Sequence, residues 1–483
     1  MRKPFFAPLW AAGAAALLSG CSMIPQYERP AAPVATQWPQ GLGAAADTAG
    51  PAAADLAWQD FVGDARLREL IALALHNNRD LRVAVLAIEQ ARAQYQIRRA
   101  DQLPTLNAAV AGNRQPATSG DGISSTYTAG LALTSWEIDF FGRVASLKEA
   151  ALAQFFATQE ARNAVQTSLV ASVANTWLSL QTNTELLELA QRTLATRDDS
   201  LRLNQLRFDQ GVSSALDLRQ AQSLTAAAQV ALAQQQRLRT LDVNALTLLV
   251  GQPLPEAQSL VPVAEPALAL ADVPAGVPSD LLTRRPDIRQ AEQQLVAANA
   301  NIGAARAAFF PRISLTASAG TASTALSGLF NSGSWGWTLA PQAVLPIFDA
   351  GRNQAGLDSA RAGRAVAVAQ YEKAIQVAFR EVADALAGRA TLGEQVRAQQ
   401  AQTDAEADRF RLADLRYRNG VASYLDVLDA QRSLFATQQA LAQTQLAQRQ
   451  NQVTLYKALG GGWTAEAEPG AAEVVGRAPA PAQ

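Results

Sequence analysis

The sequence has little of the chemistry that metal centres and active sites need. It contains one cysteine, one histidine and two methionines in 483 residues. A disulfide framework and a Cys/His metal site are therefore excluded within one chain. Aromatic residues make up 6% and the net charge is −1, so no basic surface for nucleic acid is indicated. Because no glycine-rich phosphate loop or nucleophile elbow occurs either, we expect no enzyme activity, cofactor or metal.

Glycine and proline are absent from one very long segment. Neither residue occurs from Arg143 to Gln210, and the matching segment from Arg352 to Asn419 also lacks proline. Alanine, glutamine, leucine and arginine dominate here, which is typical of long helices and coiled coils. At about 1.5 Å per residue, such a helix is on the order of 100 Å long. A helix of that length needs lateral partners.

The single cysteine stands at the end of a predicted signal peptide, residues 1–20. Arg2 and Lys3 precede an apolar run, and the run ends in Leu18-Ser19-Gly20-Cys21. This ending resembles the lipobox of bacterial lipoproteins, so we expect Cys21 to carry diacylglycerol and an amine-linked acyl chain such as palmitate. Ser22, in place of aspartate, favours the outer membrane. An ordinary secretory signal with an incidental cysteine is the alternative.

The chain is an internal duplication. Residues 206–217 recur as residues 415–426, and Gly142-Arg143 recurs as Gly351-Arg352. We place the repeats at 79–250 and 286–460, joined by a proline-rich linker, 251–285. Each repeat contains a helix, two strands (about 104–136 and 311–346) and a helical hairpin (about 143–250 and 352–460). Residues 21–78 form a lipid-anchored start of an equatorial region, and residues 461–483 form a tail.

The predicted strands alternate between apolar and small or polar residues. Ile313, Leu315, Ala317 and Ala319 alternate with Ser314, Thr316, Ser318 and Gly320, and the segments 127–134 and 335–340 show the same period. This pattern is typical of membrane barrel strands, with one face to lipid and one to the lumen. Ordinary half-exposed hairpins are the alternative. Four strands cannot close a membrane barrel and open edges are forbidden in lipid, so the protein must oligomerise. A trimer would supply twelve strands, although this arithmetic alone does not choose three over two or four.

Several short motifs together resemble the TolC family of outer membrane factors, in its lipid-anchored OprM/NodT-type branch. The resemblance covers nearly the whole mature chain. The motifs are Tyr27-Glu28-Arg29-Pro30, the run from Trp58 to Leu75, Asn78-Arg79-Asp80-Leu81, Phe140-Phe141-Gly142-Arg143, Arg284-Arg285-Pro286-Asp287-Ile288 and Phe348-Asp349-Ala350-Gly351-Arg352.

The resemblance implies an α+β membrane protein, a trimer with a 12-stranded transmembrane β-barrel, a periplasmic α-helical barrel and a mixed equatorial domain. It further implies the exit duct of a tripartite efflux system, with a periplasmic adaptor and an inner-membrane RND-type pump as partners. The adaptor would dock at the hairpin tips, Gly211-Val212 and Gly420-Val421. A secretion duct for small molecules or peptides, and a non-conducting lipoprotein scaffold, are the alternatives.

A gate is predicted just past the second tip. Leu425 and Asp429 are four residues apart and share a helix face, and Asp426 neighbours Asp429. In a trimer each position becomes a ring; carboxylate rings favour cations, and a leucine ring can close a pore by dewetting. TolC-type channels carry aspartates matching Asp426 and Asp429, and OprM-type channels pair Leu425 with Asp429. Acidic residues also suit a helix N-terminus or a solvated face without any gate.

A lock on this gate is implied by the same resemblance. In TolC a tyrosine matching Tyr417 bonds to an aspartate matching Asp217 on the neighbouring hairpin. A second TolC lock joins an arginine to a threonine, and these positions are Ala422 and Leu216 here. The second lock is therefore absent. Alternatively, Tyr417 simply packs within its hairpin.

Overall fold

The computed structural model describes residues 22–39, 51–116, 122–255 and 270–463. The predicted signal peptide 1–20 and the predicted lipidation site Cys21 lie outside the described residues. So do residues 256–269 of the linker and residues 464–483 of the tail.

The first half begins with three helices, α1 (Trp58–Phe61), α2 (Ala65–Asn77) and α3 (Arg79–Ala100). Two strands follow, and then two long helices complete this half. These elements are β1 (Leu106–Pro116), β2 (Ile123–Ile138), α4 (Arg143–Asp209) and α5 (Ala215–Val250).

The second half repeats this order after a 3₁₀ turn at Pro278–Asp280. Its elements are α6 (Leu281–Arg284), α7 (Pro286–Ala307), β3 (Arg312–Ser323), β4 (Trp335–Val344), α8 (Arg352–Arg418) and α9 (Tyr424–Ala458). Helices α4 and α8 each contain 67 residues. Both begin and end within two residues of the predicted segments, because glycine marks each boundary.

The chain divides into two compact units. Of the described residues, the sheet unit comprises those within Leu86–Glu160 and Gln290–Lys373, together with residues 22–32. The hairpin unit comprises the described residues within Pro33–Val85 and Ala161–Arg289, together with residues 374–463.

The sheet unit contains one antiparallel sheet in the order β1-β2-β3-β4. Its register places apolar residues opposite one another: Leu131 pairs with Ala319, and Ala319 pairs with Trp337. Paired residues share a face of the sheet, so one face is apolar. Trp335, Trp337 and Leu339 on this face are 58–68% exposed. A broad exposed apolar face of this kind marks an interaction with lipid or protein.

The opposite face of the sheet is lined by small and polar residues. Three glycines form a row across it, because Gly130 pairs with Gly320 and Gly320 pairs with Gly336. A Cβ at Gly320 would lie 2.3 Å from the carbonyl oxygen of Ala129. A pocket of about 330 Å³ lies on this face. Because glycine has no Cβ, strands β2 and β3 can approach closely at this row, next to the pocket.

A β-bulge in β2 keeps its apolar residues on one face. The register gains one residue on β2 between Leu133 and Trp136, and Ser135 adopts a φ of 48°. Trp136 consequently pairs with Leu315 on the apolar face. Glu137 falls on the polar face, where it forms an ion pair with Arg143 at 2.6 Å.

The N-terminal segment of the sheet unit lies along α7. Arg29 and Tyr27 bond to the carboxylate of Glu292, at 2.7 and 3.1 Å. Asn299 donates to the carbonyl of Pro25, and Arg306 donates to the carbonyl of Met23. Residues 22–29, which we call the strap, therefore run antiparallel to α7 and begin near its C-terminus.

The hairpin unit has a mixed core that contains the motif residues near Trp58. The Phe61 ring stacks on Tyr456 with centroids 3.9 Å apart, and the Tyr456 hydroxyl donates to the Leu56 carbonyl at 2.7 Å. The buried Arg285 pairs with Asp287 and Glu381 at 2.6 and 2.8 Å. The family motifs in this unit thus contribute residues that pack in the core or form ion pairs.

None of the described helices combines the length with the apolar composition that a membrane-crossing helix needs.

Candidate gate at the helical tips

Each long hairpin turns at a glycine in the left-handed conformation. Gly211 has a φ of 72° and Gly420 a φ of 74°. The amide of Gly211 donates to the Phe208 carbonyl, and that of Val212 to the Arg207 carbonyl. The Gly420 tip repeats these bonds. This is the Schellman pattern, in which glycine avoids the strain of a positive φ. The four predicted tip residues therefore form two equivalent turns.

The helices that leave the two tips begin differently. Ser214 caps α5, and Asp217 completes a capping box by accepting from the Ser214 amide. Ser423 stands at the same position before α9, but its side chain makes no capping bond. Two reciprocal bonds therefore fix the first tip, whereas the second tip has fewer local constraints.

The carboxylate of Asp429 is held by two arginines of its own hairpin. Arg409 on α8 and Arg432 on α9 each donate to it at 2.5 Å. Arg409 also pairs with Glu406 at 3.1 Å. The hydrogen bond from Arg409, together with the Arg432 charge, lowers the pKa of Asp429 below its ordinary value. Asp429 is thus an ionised and paired carboxylate that joins α8 to α9.

The other predicted gate residues have different surroundings. Leu425 is 53% exposed and lines a pocket of about 180 Å³ together with Asp429 and Leu224. Asp426 is exposed, and its carboxylate accepts no hydrogen bond from the described residues. The structure therefore brings Leu425 and Asp429 to one surface. The carboxylate of Asp426 lies beside them without an ion-pair or hydrogen-bond partner among the described residues.

The predicted lock residues do not meet within one chain. The hydroxyl of Tyr417 accepts a hydrogen bond from Arg207, and its ring lies 5.2 Å from that of Tyr424. Asp217 is instead engaged by Ser213 and Ser214. The predicted bond between Tyr417 and the Asp217 of a neighbouring hairpin stays a prediction.

Exposed apolar side chains surround both tips. Val212 and Val421 are 69% and 65% exposed, and Leu216, in the position of the missing lock, is 66% exposed. Apolar residues gathered at a hairpin end offer a contact surface.

The sequence analysis missed the arginines that organise this region. Arg432 could have been found, because a residue three positions after an acidic residue on a helix is its neighbour. Arg409 and Arg207 each contact a residue on a different helix, Asp429 and Tyr417 respectively. No spacing within a single helix predicts such contacts. Within the described residues, no group of three or more His, Cys, Asp or Glu side chains could hold a metal ion.

Comparison with known proteins agrees with this architecture. The family model described as outer membrane efflux protein matches residues 70–252 and 277–461, which are the two repeats. The toluene efflux pump outer membrane protein TtgC of Pseudomonas putida is 49% identical over 454 residues, covering 92% of this chain and 94% of that protein. OprJ of Pseudomonas aeruginosa is 47% identical over 474 residues, covering 96% and 97%.

Solved structures give the same result. The open state of the Neisseria gonorrhoeae MtrE outer membrane channel superposes with a TM-score of 0.83 at 43% identity, covering 92% of this chain and 99% of that one. The sequence resemblance to this class of outer membrane factors is thereby confirmed. The chain belongs to the outer membrane efflux protein family, and it is an outer-membrane component of an efflux system.

Proposed function

We propose that three copies of this chain form the exit duct of a tripartite efflux pump, which catalyses no reaction itself. The observation that carries this proposal is the four-stranded sheet. It has one exposed apolar face and one small and polar face, and its edge strands β1 and β4 pair on their outer sides with no other described strand. Backbone groups at such edges cannot remain unpaired in lipid.

Pairing of β4 with β1 of the next copy removes both edges. Three copies then give a closed 12-stranded barrel, within the range in which membrane barrels occur. Its apolar face meets lipid, and its small-residue face surrounds the lumen. The long hairpins of the three copies would continue the duct as a helical barrel.

The gate of this duct lies at the second hairpin tip. A ring of Leu425 side chains closes the lumen by excluding water, and the neighbouring Asp426 supplies a ring of unpaired carboxylates. Asp429 has a different role, since its charge is already compensated by Arg409 and Arg432. It holds α8 and α9 in register, so that Leu425 and Asp426 keep their position. A bond from Tyr417 to the Asp217 of the next copy would hold neighbouring hairpins together.

The tips also receive the periplasmic adaptor, which connects the duct to an inner-membrane pump of the RND type. Val212 and Val421 provide an exposed apolar contact at equivalent turns. Cys21 directly precedes the strap in the sequence, and its acylation anchors the protein to the outer membrane.

Small apolar compounds are the proposed cargo. Relatives of this chain are named for pumps that export toluene, solvents and antibiotics. A lumen lined mainly by small and polar side chains accepts such cargo without selecting it.

Complementation of a Gram-negative strain that lacks its own outer-membrane efflux channel tests this function. With a matched adaptor and pump present, the wild-type chain should restore tolerance to toluene and to antibiotics. The double substitution of Val212 and Val421 by aspartate should abolish tolerance while leaving trimers in the outer membrane. Tolerance at the empty-vector level, despite wild-type protein in that membrane, would contradict the proposal.

A further inference from the structure

Arg197 is a buried cation in the helical hairpins. It lies on α4, fourteen residues before Gly211 at the first tip, and only 4% of its surface is exposed to solvent. It forms no ion pair with any residue that the structure describes, and its Nε has no hydrogen-bond acceptor. Nη1 donates to the carbonyl of Leu224 on α5 at 2.9 Å. A buried charge is costly unless other groups compensate it.

The face of Phe435 provides that compensation. The guanidinium carbon of Arg197 lies 5.2 Å from the centroid of this ring, which belongs to α9 of the second hairpin. Arginine stacks on aromatic faces because its planar cation is weakly hydrated and is attracted by the ring quadrupole. The contact therefore links the first hairpin to the second one through a desolvated pair.

A second arginine of α4 makes the same kind of contact nearer the tip. The guanidinium carbon of Arg207 lies 5.3 Å from the ring centroid of Tyr417 on α8, and Arg207 also donates to the Tyr417 hydroxyl. Arg207 follows Arg197 by ten residues on α4, which is about 15 Å along the helix axis. The two side chains therefore leave α4 in different directions. The end of α4 is thus held against both helices of the second hairpin.

We propose that Arg197 on Phe435 and Arg207 on Tyr417 form a clasp that holds the two hairpins of one chain in the closed arrangement of the gate. This proposal rests on the proposed gated duct. Its second contact, Arg207 on Tyr417, lies near the tips, where the lock at Ala422 and Leu216 is absent. When the duct opens, the second hairpin moves away from α4 and the two rings leave the guanidinium groups.

Single-channel recording of the full-length protein tests the clasp. Arg197→Gln removes the cation and can keep a donor for the Leu224 carbonyl, and Phe435→Leu removes the ring. Each substitution should raise the open probability about 3- to 30-fold, the range expected for a partly to fully desolvated cation–π contact. The double variant should rise no further than the larger single one, because both remove the same contact. Phe435→Tyr should stay near wild type, and Arg192→Gln is the matched control on an exposed surface of α4.

Hydrogen–deuterium exchange of the same variants tests the clasp independently of whether the protein conducts. Arg197→Gln and Phe435→Leu should each speed exchange at the end of α4 and at the start of α9. An absence of current from every variant would refute the duct, and faster exchange would then still support the clasp. Additive effects in the double variant, or unchanged exchange in both single variants, would overturn the clasp.

Discussion

Arg409 and Asp429 form an ion pair at 2.5 Å that joins α8 to α9. Arg432 approaches the same carboxylate from the other side, also at 2.5 Å. The carboxylate predicted to line a gate is therefore the centre of a small ionic network. Asp426, one turn earlier on α9, carries the negative charge that no described residue compensates.

Ion selectivity should depend on both aspartates, for different reasons. Asp426→Asn should lower the preference for cations, because it removes an unpaired charge at the constriction. Asp429→Asn should shift selectivity toward anions, because it leaves Arg432 uncompensated and leaves Arg409 with Glu406 alone. Reversal potentials across a KCl gradient measure both effects. Glu394→Gln, on an exposed part of α8, is the control and should change neither. An unchanged cation preference in Asp426→Asn would contradict the proposal that Asp426 supplies the unpaired charge at the constriction.

The ionic network should be insensitive to mild acid. The pKa of Asp429 is lowered, so its pairs contribute above the ordinary carboxylate pKa of about 4 and are lost only as the pH falls through the depressed value. Current through the resting channel should therefore stay constant from pH 8 to pH 5. Recording in symmetric buffers over this range is the measurement. A rise at pH 5 that disappears in Asp429→Asn would show that the carboxylate has a raised pKa instead.

The glycine row offers a matched pair of substitutions in the sheet. Gly320→Ala places a Cβ 2.3 Å from the Ala129 carbonyl oxygen, whereas a Cβ at Gly336 meets nothing within 4 Å. Overpacking against backbone forces β2 and β3 apart, at a cost of about 1–3 kcal/mol or more. We expect Gly320→Ala to deplete the protein in outer-membrane fractions and Gly336→Ala to leave it unchanged. Equal depletion, or none in Gly320→Ala, would argue against close approach at this row.

The strap should be released when the carboxylate of Glu292 is left without Arg29 as its partner. The Glu292 side chain is 11% exposed, so Arg29→Met leaves a largely buried carboxylate with Tyr27 as its remaining partner. We expect a loss of about 1–3 kcal/mol and faster proteolysis within residues 22–32. The double variant Arg29→Met, Glu292→Met should recover most of the resistance, because no unpaired charge remains. Equal sensitivity in both variants would show that the ion pair itself holds the strap.

Local signals in the sequence predict most of the architecture. The absence of glycine and proline from Arg143 to Gln210 predicts α4, and Gly211 and Gly420 predict the two turns. Alternation predicts strands β2, β3 and β4 because the period of two is unbroken over most of each strand. The bulge at Ser135 is not predicted, since it depends on keeping Trp136 on the face of Leu131 once β2 pairs with β3.

The candidate gate was only partly predictable, for a related reason. Leu425, Asp426 and Asp429 stand within one short segment, so their shared surface follows from helix geometry. Arg409 meets Asp429 from a position twenty residues earlier, across the turn at Gly420. Arg197 and Phe435 are still farther apart in sequence. Such contacts depend on how the helices pack against one another, and they cannot be predicted from residue spacing within one helix.

The most direct test of a gated duct is single-channel conductance of the purified protein in planar bilayers. Wild type should show a small conductance. Asp429→Ala and Arg409→Ala should each raise it, and the double variant should not exceed the larger of the two, because both break one ion pair. Tyr417→Phe should raise it as well, because it removes the hydroxyl that accepts the hydrogen bond from Arg207. A large wild-type conductance that none of these substitutions changes would place the gate elsewhere, and no conductance from any inserted variant would contradict the channel itself.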